Sequence, residues 1–128
     1  MKRSWIITGL LTALVGAATL APAVQAKGGK DGTRIALRAS KAYPGASGKA
    51  KFQSAGQREL EMEVEHVRRL AGKRVNFFVN STKIGSARIS SLGAAQINRR
   101  GSSFPTVRAG TLVKVKTAGG TMVVSGRF

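Results

Sequence analysis

Four of the chain's five acidic residues, Glu59, Glu61, Glu63 and Glu65, occupy alternate positions of one short stretch, and the only histidine, His66, follows directly. Carboxylates beside an imidazole are the raw material of acid–base hydrolysis or of metal binding. The spacing works against a single site. Residues two apart on a strand stand about 7 Å apart, so such a ladder cannot converge on one small cation unless another loop folds over it. A retaining glycosidase does place its carboxylates about 5 Å apart, but on facing walls of a cleft. His66 has no cysteine to activate and no second histidine with which to share a metal, and the chain contains no Gly-x-Ser-x-Gly elbow. The residues therefore point to a solvated strand face with cross-strand ion pairs, with no catalytic residue, no metal and no cofactor. A hydrolase using Glu61, Glu63 or His66 stands third among the functional expectations.

The basic side chains offer a different chemistry. Lys and Arg number 22, and the formal net charge is +17. Arg68, Arg69, Lys73 and Arg74 cluster around the turn at Gly72. Arg99 and Arg100, with Arg108 nearby, fall in a longer connection, and Lys114 and Lys116 form a third group. Loops that gathered these residues at one end of a fold would hold phosphate or sulfate by charge, with arginine adding bidentate geometry. General surface basicity is the competing expectation. Sequence-specific nucleic-acid recognition finds no zinc-finger spacing and no helix to enter a groove. A salt-sensitive, sequence-independent affinity for DNA would follow from charge alone.

Period-two alternation supplies the elements that must position these groups. Arg34–Arg38, Lys49–Gln53 and Glu59–Glu65 alternate polar and apolar residues. In the last of these, Leu60, Met62 and Val64 take one face and the glutamates the other, and His66 continues the apolar parity as a strand-end residue at the core rim. Val75–Val79, Lys83–Ile89, Ala94–Asn98, Thr111–Thr117 and Thr121–Phe128 complete the set, with a long connection from Arg99 to Ala109. A hairpin over Ser54–Arg58 would set Lys51 opposite Glu61, Lys49 opposite Glu63, Phe52 opposite Leu60 and Ala50 opposite Met62. A two-residue Gly119-Gly120 turn would set Val115 opposite Val124 and Val113 opposite Gly126, with Val123 facing outward. Phe52 and Phe77 read as core, and Tyr43, Phe78 and Phe104 as candidates for exposure. Seven to eight short strands without a helical segment predict an all-β antiparallel sandwich or partly open barrel.

The N-terminal segment sets the expected compartment. Lys2 and Arg3 precede the uncharged apolar run Trp5–Leu20. Pro22 and the small residues around Val24-Gln25-Ala26 then form the pattern of a secretory signal cleaved after Ala26. The expected organisation is a signal peptide over 1–26, a Gly- and Lys-rich flexible leader over 27–32 and one β-domain over 33–128. Cleavage would remove Lys2, Arg3 and the only tryptophan, lowering the net charge from +17 to +15. The chain has no cysteine, although an export compartment permits disulfides.

The succession "GKAKF", "LEMEVE", "FFVNSTKIG" and "PTVRAGTLVKVKTAGGTMVVSGRF" resembles small exported bacterial β-domains, and in layout it is similar to the CHRD domain. That resemblance covers most of residues 34–128 and implies a secreted β-sandwich. The family's His-Ile-His segment has no counterpart here, so it implies no site residue. The leading expectation is a non-enzymatic, periplasmic or extracellular domain that binds anionic envelope polymers or lipid head groups and has no transmembrane span after cleavage. The alternative is a structural or protein-partner module using an apolar sheet face around Val123 or an edge strand.

Overall fold

The computed structural model describes residues 32–128. The expected signal peptide and the leader through residue 31 lie outside the described residues. Eight antiparallel strands follow in chain order: β1 (Thr33–Ala39), β2 (Ser47–Gln53), β3 (Glu59–Glu65), β4 (Arg74–Val79), β5 (Thr82–Arg88), β6 (Ala95–Arg100), β7 (Leu112–Thr117) and β8 (Met122–Arg127). They form one sheet in the spatial order β5-β4-β7-β8-β1-β2-β3-β6. The sheet curls until its edge strands β5 and β6 come together, where the Ile97 side chain packs over Gly85. The fold is thus all-β as expected, in the barrel form. A short 3-10 turn, Arg68–Leu70, is the one helical element among the described residues. No helix among them is long and apolar enough to cross a membrane.

Alternation explains the interior. Leu60, Met62 and Val64 of β3, Val75, Phe77 and Val79 of β4, and Val113 and Val115 of β7 are buried, while their sequence neighbours face outward or lie half-buried. Loops close both ends. At one end Val67, Leu70 and Ile89 enter the core. At the other, the β6–β7 connection buries Phe104 and Val107. The Arg58 guanidinium clamps that second loop. It donates to the Phe104 and Pro105 carbonyls at 3.1 and 3.0 Å and lies 4.3 Å from the Phe104 ring centroid. Phe104, expected as a candidate for exposure, is therefore a plug residue.

The β2–β3 hairpin has the expected register at every pair: Lys51 with Glu61, Lys49 with Glu63, Phe52 with Leu60, Ala50 with Met62. The β7–β8 pairing also holds at Val115–Val124 and Val113–Gly126. Nearer the turn it shifts, and Lys116 pairs with Met122. The cause is the turn. Thr117 and Thr121 close a three-residue loop in which only Gly120, at φ +97°, takes the left-handed conformation. A three-residue loop leaves β8 one residue too long, and the bulge absorbs Val123. Val123 and Val124 are both fully buried. The outward placement expected for Val123 is corrected, and with it the apolar sheet face built around that residue.

Candidate functional site, a carboxylate-free basic wall

Every acidic side chain among the described residues stands on β3. Its neighbours are chosen to answer it: Lys49 and Lys51 on β2, and Gln96, Asn98 and Arg100 on β6. Asn98 Nδ2 donates to Glu59 at 2.6 Å and to Glu61 at 3.1 Å. Lys49 Nζ lies 3.7 Å from Glu63, and Arg100 Nε lies 3.6 Å from Glu59. The ladder is a strand face of which Glu59, Glu61 and Glu63 are partnered, with two ion pairs, while Lys51 stands opposite Glu61 in register without a salt bridge to it. Glu63 is not an ordinary carboxylate. Partial burial pushes its pKa up, and the adjacent Glu65 carboxylate pushes it further, against the pull of Lys49. Because the native state holds this proton more tightly than the unfolded chain, stability should fall as pH rises from the usual carboxylate range through the raised value. Glu63→Gln cannot ionise and should lose that fall. Urea midpoints across this pH range check it, and identical profiles for the two proteins would contradict it.

His66 does not continue the strand parity. It sits just past β3 at φ +62°, exposed, and hands the core position to Val67. Its Nδ1 lies 2.9 Å from the Ser47 hydroxyl. A serine beside an imidazole is half of a nucleophile pair, but among the described residues no carboxylate reaches the ring to orient it. Glu61 and Glu63 line a shallow hollow on the outer face of β1, β2, β3 and β6, whereas His66 lines a different hollow at the barrel end. Among the described residues, no group of three or more His, Cys, Asp or Glu gathers as metal ligands.

The basic residues named from sequence separate into three places. Arg68, Arg69, Lys73 and Arg74 lie at the end where β3 finishes and β4 begins. Arg99, Arg100 and Arg108 lie at the opposite end, where β6 finishes. Arg99 and Arg100 belong to β6 rather than to the connection after it. Arg99 shares the inward face with Leu60, and its buried Nε has no hydrogen-bond partner, while Arg100 is engaged by Glu59. Lys114 and Lys116 stand on the outer face of β7.

That outer face is the feature missed in the linear reading. Strands β5, β4, β7, β8 and β1 are consecutive in the sheet and carry no carboxylate. Register aligns Lys83, Phe78, Lys114, Ser125 and Arg38 in one row across all five. At the usual interstrand spacing the row follows the curled sheet for about 19 Å, around half of the barrel. Arg74 and Arg88 are paired beside it, Lys116 faces Asn76, and Arg127 faces Leu112. Phe78 sits half-buried within the wall, with Lys114 Nζ and Lys116 Nζ 5.8 and 5.4 Å from its ring centroid. These ammonium groups drape their stems over the ring and keep their heads in water. Arg38, Lys83, Arg88 and Arg127 join Arg74, Lys114 and Lys116 in this surface. Outward strand parity marks them in the sequence except at Arg88, which the bulge in the β4–β5 ladder sets out of phase with Lys83, and only the strand order makes them neighbours.

Fold and surface together define a class: a small cationic β-barrel with its described acids confined to one strand. No protein-family model, curated protein or solved structure matches the chain.

Proposed function

We propose that this is an exported, non-enzymatic domain that binds anionic polymers of the cell envelope through the wall formed by β5, β4, β7, β8 and β1. The observation that carries the reading is charge segregation. The acidic side chains are confined to β3, where Glu59, Glu61 and Glu63 meet local partners, leaving five adjacent strands with basic side chains and no acidic ones. Such a surface repels itself in the free protein and gathers small counterions. A phosphorylated or sulfated polymer lying across it would replace those ions and release them. The row geometry suits a chain-like ligand that wraps the barrel, because its cationic positions follow the curve of the sheet rather than converging on a point.

Release of counterions makes the affinity steeply salt-dependent. For roughly five phosphate contacts, binding should weaken by about two to three decades between about 50 and 200 mM salt. Retention on a sulfated or phosphorylated polysaccharide matrix, measured across that range, checks the reading. Retention that ignores salt would remove the electrostatic mechanism.

A further inference from the structure

Leu92 is the one large hydrophobic side chain exposed among the described residues, at 72%. It stands at the tip of the β5–β6 loop, at the barrel end shared by the β1–β2 loop and the β3–β4 loop. Together with Tyr43, Pro44, His66, Arg68 and Arg69 it borders a hollow of about 470 Å³.

The tip is held in place. The Leu92 and Ala94 amides both donate to Ser90 Oγ at 3.3 Å, and the Val67 amide donates to the Gly93 carbonyl at 3.0 Å. Arg69 donates to the Ala42 carbonyl at 3.2 Å, and its guanidinium lies 5.0 Å from the Tyr43 ring centroid. Lys41, Arg68, Arg69, Lys73, Arg74 and Arg88 are exposed around this end, and the three loops contain no acidic residue. The nearest, Glu65, closes β3 beneath them.

We propose that this end docks on an anionic lipid surface, with Leu92 entering the headgroup region, Arg68 and Arg69 on lipid phosphates, and the hollow accommodating one headgroup. The inference rests on the same electrostatics as the polyanion reading but names a second surface, the barrel end rather than the wall, and one ligand. A soluble polyanion makes no use of an aliphatic side chain held rigidly in water. A stable protein interface buries more than about 1,000 Å², and the apolar surface here is Leu92 with Pro44 and part of Tyr43. Peripheral membrane binding needs this pairing, a small apolar insertion reinforced by basic residues facing an anionic leaflet. The ring of arginines and lysines is complementary to such a leaflet, and an exposed leucine at its centre reaches past the phosphates.

The chain contains no cysteine, so Leu92→Cys in the full chain accepts a polarity-sensitive fluorophore at a single site. Thr106→Cys, exposed in the loop at the opposite end, serves as the reference. Vesicles of phosphatidylcholine with about one third phosphatidylglycerol should brighten and blue-shift the probe at position 92 and leave position 106 unchanged. Pure phosphatidylcholine vesicles should change neither. Leu92→Glu should weaken vesicle co-sedimentation about tenfold and leave retention on a sulfated polysaccharide unchanged. A silent probe at 92, an equal response at both positions, or unimpaired sedimentation of Leu92→Glu would overturn the docking inference. So would the same response to inorganic phosphate or soluble heparin alone, which would make the hollow a site for a free anion. Loss of salt-sensitive retention on the polysaccharide would instead overturn the polyanion reading itself.

Discussion

Phe77→Ala should lower the free energy of unfolding by about 3–5 kcal/mol, the range for removing a fully buried aromatic ring and leaving a cavity. Phe77 has no exposed surface, faces Val115 on one side and Gly85 on the other, and sits where the β4–β5 ladder is bulged. A glycine partner offers no side chain that could collapse into the space. A domain of this size has roughly 5–15 kcal/mol in total, so the variant should be marginal at room temperature. The neighbouring Phe78→Ala is the control. Phe78 lies half-buried on the outer face, and its loss should leave the barrel folded while removing the platform under Lys114 and Lys116. Urea denaturation with an unchanged slope separates the two. A Phe77→Ala midpoint close to that of Phe78→Ala would contradict the inward and outward assignment on which the wall depends.

Gly93→Ala should cost about 2–4 kcal/mol, by two mechanisms that a matched variant can separate. At φ +84° a side chain is strained by about 1–2 kcal/mol. The added Cβ would also stand 2.7 Å from the Arg68 amide nitrogen and 2.9 Å from that of Val67, backbone atoms that cannot swing aside. Relief requires the β5–β6 loop to move away from the β3–β4 loop, breaking the bond from the Val67 amide to the Gly93 carbonyl. Gly110 has φ +91° and open space around its Cβ position, so Gly110→Ala should show the conformational cost alone. Equal losses for the two variants would mean that the close approach of the two loops contributes nothing.

The ladder of glutamates was legible because its period is unambiguous and its partners are of opposite charge, which fixed both the strand and its register against β2. The contact between Arg38 and Ser125 was not legible. It joins strands far apart in the chain, and local alternation carries no information about which distant strands become neighbours. The basic wall depends on two such pairings, β8 with β1 and β4 with β7. Local conformation hid the rest. A bulge turned Val123 inward, and a left-handed turn took His66 off the core face that its parity indicated. Arg99 and Arg100 were legible as basic but not as parts of β6, since Asn98-Arg99-Arg100 alternates nothing apolar; one proved to share the inward face and the other to be engaged by Glu59.

Charge alone and charge arranged as a wall give different outcomes when the same number of charges is reversed at different places. Lys114→Glu with Arg38→Glu alters the aligned row. Arg108→Glu with Lys51→Glu changes the net charge equally, but at the far end and beside the glutamate ladder. Dissociation constants for one sulfated polysaccharide at fixed salt should rise about tenfold or more for the first pair and much less for the second, as expected when direct contacts are lost rather than net charge. Equal weakening by both pairs would contradict the wall as the binding surface and leave net charge as the whole of the effect.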